Sequence, residues 1–190
     1  KDVEVLSKSI LFWRSFTIYI GGMGVLAFVM AIVPLSKNDK SMHLLKAEMP
    51  GPTVSKMVPS IKKTLFILYG IYIGLILLMF SILLIGGLTP FHAINIALST
   101  AGTGGFSILN NSIASYTPFV QWTVTIFMFL FGINFNIYYL ILIGNFKQIF
   151  KNEEMKVYIG IVVLSTIIIS FNVASQYDTV FEAIKHSFFQ

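Results

Sequence analysis

The chain has 190 residues, of which 56% are hydrophobic and only 11% are charged, whereas soluble domains carry about a quarter charged residues. This composition predicts an all-α polytopic membrane protein whose main partner is the lipid bilayer. The absence of cysteine excludes disulfides, thiolate metal sites and cysteine nucleophiles. The net charge of +5 does not indicate a nucleic-acid partner, because the lysines cluster in short loops beside apolar segments.

Long segments free of formal charge predict four membrane spans, since a transmembrane helix needs about 20 apolar residues. The predicted spans are 10–35, 64–85, 119–146 and 157–177. The segments 36–63 and 147–156 hold six and three lysines, whereas 86–120 holds no lysine or arginine. The positive-inside rule therefore predicts that 36–63 and 147–156 are cytoplasmic in a multi-pass protein of the plasma (inner) membrane.

The first span carries a basic residue and a group of glycines. We interpret Arg14, beside Trp13, as a membrane-interface anchor, with a direct role in conduction as the alternative. Small residues farther along the span predict close approach of a neighbouring helix, and these are Gly21, Gly22 and Gly24. Helix packing is also the interpretation of Gly132 and Asn134 in the third span, with pore lining as the alternative for Asn134.

A segment of helical character that is too short to cross a bilayer follows the second span. Thr89 before Pro90 resembles an N-cap with proline at the first helical position, which predicts a short helix over 90–99. This helix is expected to start at the outer surface and to point its C-terminus inward, where its dipole favours a cation. The residues assigned to it as a pore helix are Phe91, Ala93, Ala97, Ser99 and Thr100.

The short helix leads into a loop with three glycines in four positions, at 102–105. Glycine lowers helix stability by about 0.8–1.0 kcal/mol relative to alanine, so the loop is not built for helix formation. Non-helical backbone at membrane depth is tolerated only where it is buried or lines a water-filled cavity. A re-entrant loop whose carbonyl oxygens replace the water around a permeating cation fits this pattern. We predict such a filter over 102–106, with its ion-binding residues being Gly102, Thr103, Gly104, Gly105 and Phe106.

The chain also contains a weak internal repeat. Phe, Ala and Ile recur at the same offsets in the segments 91–94 and 181–184, each shortly after a predicted span. A fixed-period similarity indicates a repeat architecture, and parallel repeats around an axis along the membrane normal are one known solution. The predicted unit is a span, a short re-entrant helix, a glycine loop and a second span, and the chain ends where the next glycine loop is expected.

Four motifs, in this order and at these places, resemble the Trk/Ktr/HKT superfamily of potassium transporters, and most closely its Trk-type membrane subunits. The resemblance covers about residues 10–190. The motifs are Trp13-Arg14-Ser15 with Gly21-Gly22-Met23-Gly24, Ala47-Glu48-Met49-Pro50-Gly51-Pro52, Thr103-Gly104-Gly105-Phe106-Ser107, and Gly132-Ile133-Asn134-Phe135.

The resemblance implies a fold of four span, pore-helix and span repeats around one pore, so this chain is expected to be an internal piece of a longer protein. Its implied divisions are 1–35 as the second span of the first repeat, 36–59 as a cytoplasmic loop, 60–147 as the complete second repeat, 148–155 as a cytoplasmic loop and 156–190 as the first span and pore helix of the third repeat. The resemblance implies K⁺ coordination at Thr103, Gly104 and Gly105, with Gly105 as the filter glycine.

The function implied by the resemblance is uptake of potassium across the plasma membrane, with the potassium ion itself and no covalently bound cofactor. The implied partners are a second full-length subunit, giving a homodimer, and a cytosolic nucleotide-binding regulatory ring. Two alternatives stay open: a carrier for another solute that uses a glycine-broken helix, and a membrane scaffold without transport. An enzyme is not expected, because Ser99 and Ser107 have no histidine or carboxylate at a plausible catalytic spacing.

Overall fold

The computed structural model describes residues 2–24, 61–177 and 179–189, and all regular secondary structure in these ranges is helical. The predicted cytoplasmic loop 36–59, the motif at 47–52 and the end of the first predicted span lie outside the described residues.

Eight α-helices and two short helical segments of other types make up the described ranges. The α-helices are α1 (Lys8–Tyr19), α2 (Ile61–Ile85), α3 (Pro90–Ala101), α4 (Pro118–Gly132), α5 (Phe135–Leu142), α6 (Phe146–Lys151), α7 (Glu153–Val173) and α8 (Val180–Phe189). A π-helical segment, Ile20–Gly24, continues α1, and a 3₁₀ turn, Ala174–Gln176, continues α7.

Two of these helices are long and apolar enough to cross a membrane. Their mean hydropathy is 2.5 over Phe66–Ile85 in α2 and 1.9 over Glu153–Val173 in α7. Helix α4 is a shorter apolar helix. In the described part of the chain, therefore, two of the four predicted spans each correspond to one helix of spanning length.

The chain divides into two compact units, Lys1–Tyr139 and Leu140–Gln190. In the first unit the short helix α3 packs against α1, α2 and α4. Every residue of α3 from Asn95 to Ala101 is buried, and Ala93 and Ala97 are completely enclosed. Small side chains allow the longer helices to approach closely, so the short helix forms the centre of this unit.

The start of α3 follows the local sequence signals. The side-chain oxygen of Thr89 accepts a hydrogen bond from the His92 amide at 3.4 Å, and Pro90 occupies the first turn, where its missing N–H costs no hydrogen bond. The predicted N-cap is confirmed, and the helix extends two residues beyond the predicted 90–99.

The third predicted span, 119–146, contains a break between two helices. Helix α4 ends at Gly132, Ile133 is extended (φ −73°, ψ 138°), and α5 begins after Asn134. The hydroxyl of Tyr138 donates to the Leu130 carbonyl at 2.7 Å, which satisfies an acceptor in the last turn of α4. Gly132 and Asn134 thus lie at a helix junction, which their assignment to the middle of a span did not anticipate.

In the second unit α7 packs against α8, which buries Ala183 and Ser187. The Glu182 amide donates to the Thr179 hydroxyl at 3.2 Å, so α8 begins with a threonine cap as α3 does. Thr179 lies ninety positions after Thr89 and Ala183 ninety after Ala93, both alanines being buried. The similarity noted in sequence therefore extends to the capping and the buried face of the two short helices.

Candidate functional site

The glycine loop begins by satisfying the last carbonyl groups of α3. The amide of Gly102 donates to the Leu98 carbonyl at 3.1 Å, and the amide of Thr103 donates to the Thr100 carbonyl at 3.0 Å. The amide of Gly104 reaches back to Ser99 at 3.1 Å. The terminal carbonyls of a helix otherwise lack partners, so these three bonds fix the loop to the end of the helix.

The direction of these amides also fixes the direction of the carbonyls that share their peptide groups. In a trans peptide the C=O points opposite to the N–H, and the described part of the chain has no cis peptide bond. The carbonyls of Ala101, Gly102 and Thr103 are consequently directed away from the end of α3. This leaves a short series of carbonyl dipoles aimed at a partner other than the helix that precedes them.

The loop backbone contains two residues in the left-handed region. Thr103 has φ 51° and Gly105 has φ 65°. A β-branched residue is unusual there, since the left-handed conformation costs an L-residue roughly 1–2 kcal/mol. Strained residues of this kind persist where the surrounding structure holds them and cluster at ligand clamps.

The chain leaving the loop is held by side-chain donors. The hydroxyl of Ser99, on α3, donates to the Phe106 carbonyl, and Nη2 of Arg14, on α1, donates to the Ser107 carbonyl. The Arg14 guanidinium also lies 5.9 Å from the centre of the Phe106 ring. Five residues of the loop are predicted to bind the ion. Among the hydrogen bonds that the structure describes, the Phe106 carbonyl is the one of these that already accepts from a protein donor.

Two glycines of the loop lie against α1. A methyl group on Gly102 would come within 2.4 Å of the Ile18 carbonyl oxygen, and one on Gly104 would come within 2.4 Å of Cγ2 of Ile18. Gly105 differs, because a methyl group there would meet no atom within 4 Å in the ranges 2–24, 61–177 and 179–189. Close packing thus explains Gly102 and Gly104, whereas the positive φ explains Gly105.

The glycines predicted to pack helices have different surroundings. Gly22 departs from helical geometry (φ −75°, ψ −126°), and a methyl group on it would lie 3.0 Å from Cα of Gly102 and 3.1 Å from the Tyr72 hydroxyl. A methyl group on Gly21 would meet no atom within 4 Å among the described residues. Gly24 is the last residue of the π-helical segment. The close approach at Gly22 is therefore to the glycine loop itself.

The predicted pore-helix residues lie together on α3. Ala93, Ala97, Ser99 and Thr100 are buried, and Phe91 is partly exposed with the Lys8 ammonium 5.7 Å from its ring centre. Sequence reasoning missed Arg14 and Ile18 as neighbours of the loop. The interface-anchor prediction for Arg14 does not describe its main contact, because its guanidinium binds the loop at Ser107.

The segment after the loop is fastened to the N-terminal residues. The Asn110 side-chain amide donates to Asp2 at 2.7 Å, its backbone amide donates to Glu4 at 3.0 Å, and its Oδ1 accepts from the Val3 amide at 2.8 Å. The bond from Asn110 is the main cause that holds the pKa of Asp2 below its ordinary value.

A second tether joins this segment to the start of α3. The hydroxyl of Tyr116 lies 2.9 Å from Nδ1 of His92, and the two rings meet edge to face. Burial raises the pKa of Tyr116 to about 12, so the hydroxyl keeps its proton at neutral pH. The two tethers hold the segment that follows the glycine loop, one at Asn110 and the other at Tyr116.

The known proteins that this chain resembles are named as cation or potassium transport proteins. The family model TrkH, described as a cation transport protein, matches residues 1–174. The Trk system potassium uptake protein TrkH of Salmonella typhimurium is 31% identical, covering 99% of this chain and 40% of that protein. An uncharacterized cation transporter of Methanocaldococcus jannaschii is 32% identical, covering 89% of this chain and 34% of that protein.

Among solved structures, the crystal structure of the potassium transporter TrkH from Vibrio parahaemolyticus matches with a TM-score of 0.76 and 25% identity. The match covers 98% of this chain and 38% of that structure's chain, so the chain spans less than half the length of these relatives. The chain belongs to the TrkH family of cation transport proteins.

Proposed function

We propose that this chain supplies one complete filter loop, over 102–106, to the pore of a potassium uptake transporter of the plasma membrane. The observation that carries the proposal is the orientation of the loop backbone: its first amides bind the end of α3, so the carbonyls of Gly102 and Thr103 are directed away from that helix. Relatives that cover nearly the whole chain are named Trk system potassium uptake proteins.

Backbone carbonyls suit a potassium ion because they replace its water shell without fixing a full negative charge in the pore. The proposed ligands are the carbonyls of Thr103, Gly104 and Gly105, with Gly102 contributing at the inner end. The C-terminus of α3 faces the loop, and its partial negative charge favours a cation there. A carrier for an anionic solute would present a helix N-terminus instead, so this geometry favours the pore over the carrier alternative.

We further propose that α2, α3, the glycine loop and the broken α4 and α5 pair form one span, pore-helix and span repeat within 60–147. The segment 1–35 then completes a preceding repeat and 156–190 begins a following one. The matching caps at Thr89 and Thr179 support this assignment. One loop does not make a pore, so conduction requires the other repeats of the full-length protein.

The proposed orientation places the glycine loop toward the outside and the lysine-rich segments 36–63 and 147–156 in the cytoplasm. For the full-length protein we propose a homodimer with a cytosolic nucleotide-binding regulatory ring on the side of the membrane to which the positive-inside rule assigns these lysine-rich segments. The nucleotide site would then belong to the ring and not to this chain.

The test is K⁺ and Na⁺ uptake by cells that lack their own potassium uptake systems and express the full-length parent protein. We expect K⁺ uptake by the intact protein, and either higher Na⁺ permeation or loss of uptake in Gly105→Ser at unchanged membrane expression. The matched control is Gly74→Ser in α2, where an added methyl group would meet no atom of the described residues within 4 Å, and its uptake is expected to resemble that of the intact protein. If neither the K⁺ flux nor the Na⁺ flux differs between the intact protein and Gly105→Ser, the filter is rejected.

A further inference from the structure

Arg14 is a cation on α1 that contacts the chain leaving the glycine loop, although the two are 93 residues apart in sequence. Its Nη2 donates to the Ser107 carbonyl, and its guanidinium carbon lies 5.9 Å from the centre of the Phe106 ring. Both contacts fall on the residues directly after the proposed ion ligands. Their combined effect is to hold this part of the chain against α1.

Contribution to stability does not explain why a guanidinium occupies this place. The Nε–H of Arg14 is a buried donor with no acceptor among the described residues. A buried donor without a partner lowers stability, and an apolar side chain of similar volume would avoid that loss. A positive charge near a cation pathway is a further electrostatic disadvantage. The arrangement therefore indicates a role in the geometry of the loop.

The contacts divide the loop carbonyls into two groups. Those of Gly102 and Thr103 are directed away from α3, whereas those of Phe106 and Ser107 are already bound by Ser99 and Arg14. Carbonyls engaged by protein donors are less available to an ion. The boundary between the two groups therefore lies between Thr103 and Phe106, and the positive φ of Gly105 turns the backbone within this stretch.

We propose that Arg14 is a positioning residue that sets the outer end of the ion-coordinating segment. Its guanidinium draws the Ser107 carbonyl and the Phe106 ring toward α1, so the series of ion ligands ends at Gly105. Selectivity depends on this because an additional mobile carbonyl would let the loop adjust to a smaller ion. The inference rests on the proposed function, since it assumes that the loop carbonyls coordinate the permeating ion.

Arginine suits this role better than lysine. Its planar group donates in its own plane while its face lies on an aromatic ring, so one side chain fixes a carbonyl and a phenyl group together. A lysine ammonium is a point charge without a planar group, so it is less suited to binding the carbonyl and stacking on the ring at the same time. The Arg14→Lys variant is therefore expected to restore part of the function that Arg14→Met removes.

The experiment measures the ratio of K⁺ to Na⁺ flux in proteoliposomes that contain the purified full-length parent protein. Arg14→Met is expected to lower this ratio about tenfold, which stays below the limit set by the full net strength of one hydrogen bond to a charged group. The ratio in Arg14→Lys is expected to lie between that of the intact protein and that of Arg14→Met. The matched control is Lys8→Met, which removes another cation of α1 that lies over a ring, 5.7 Å from the centre of Phe91, and its ratio is expected to stay unchanged.

The outcomes separate the two proposals. An intact protein without selective K⁺ flux would reject the filter and this inference with it. A selective intact protein together with an unchanged ratio in Arg14→Met, or an equal loss in Lys8→Met, would reject the role of Arg14 alone. If Arg14→Met does not reach the membrane, Phe106→Leu removes the ring contact and keeps the backbone. A smaller decrease of the same ratio is expected there, and an unchanged ratio would reject the proposal.

Discussion

The carbonyl oxygen of Ile18 lies 2.4 Å from the position that a methyl group on Gly102 would occupy. Helix α1 and the glycine loop therefore meet through their main chains, at a point where no side chain fits between them. The same residue also faces Gly104, but there the nearest atoms belong to its side chain. This difference between a main-chain and a side-chain obstacle allows the glycines of the loop to be distinguished by mutation.

Gly102→Ala is expected to be severely disruptive because the obstacle is backbone that no rotamer change can move. Overpacking of a tight interior typically costs about 1–3 kcal/mol, and a main-chain clash belongs at the upper end of that range. The measurement is thermal unfolding of the purified full-length protein together with K⁺ uptake. The control is Gly21→Ala, whose methyl group meets no atom within 4 Å in the part of the chain that the structure describes. Similar unfolding temperatures for the two variants would contradict the main-chain contact.

Gly104→Ala is expected to be rescued by Ile18→Ala. The three atoms nearest to the new methyl group, from Cγ2 at 2.4 Å to Cγ1 at 3.4 Å, all belong to the Ile18 side chain, and Ile18→Ala removes them. A double-mutant cycle on the free energy of unfolding should give a coupling of roughly 0.5–3 kcal/mol, as for residues in direct contact. The same second change should not rescue Gly102→Ala. Additive effects at 18 and 104 would mean that the two residues do not touch.

Gly105 is predicted to require glycine for its conformation and not for space. Its φ is 65°, and none of the described residues lies within 4 Å of a methyl group placed there. Gly105→Ala should therefore cost roughly 1–2 kcal/mol of folding stability. Gly105→Asn should cost less, despite its larger side chain, because asparagine adopts the left-handed region more readily. Unfolding measurements on the two variants decide this, and a greater loss for asparagine than for alanine would point to a steric limit.

Acid is expected to loosen the tether between Asp2 and Asn110. The pKa of Asp2 in the folded protein lies below its ordinary value of 3.8, chiefly because of the hydrogen bond from Asn110. The stabilisation is therefore fully present above the ordinary value and is lost as the pH falls through the lower folded value.

Hydrogen exchange of the segment 107–116 tests this tether when the parent protein and Asp2→Asn are compared at the same pH. Exchange at neutral pH should be faster in the variant, and the two rates should converge once the pH falls below the lowered pKa of Asp2, where the carboxyl is protonated in the parent. A difference that persists undiminished in acid would show that the carboxylate charge does not hold the segment.

Several features of this chain follow from short-range sequence signals. The cap at Thr89 with Pro90 behind it locates the start of α3, because capping depends on residues within one helical turn. The length and apolar character of α2 and α7 likewise follow from their own residues. The four motifs, in their order along the chain, indicate the family without any knowledge of the packing.

The break at Ile133 is not apparent from hydrophobicity, because the segment is apolar on both sides of it. The role of Arg14 is likewise hidden, since a basic residue beside Trp13 has the same local pattern whether it faces a headgroup or a loop. Its hydrogen bond joins residues 93 positions apart, and the bond between Asp2 and Asn110 joins residues 108 apart. Contacts over such distances depend on how the helices pack.

The sequence by itself determined the helical membrane character of this protein, the short capped helix and the glycine loop behind it, because charge-free length, capping and glycine content are local properties. Only the tertiary structure decided why each glycine is needed. Gly102 accommodates the main chain of Ile18, Gly104 accommodates its side chain, and Gly105 provides a left-handed turn. Three glycines of one motif are thus required for three different physical reasons. Two of these reasons are contacts with a helix more than eighty residues earlier in the chain.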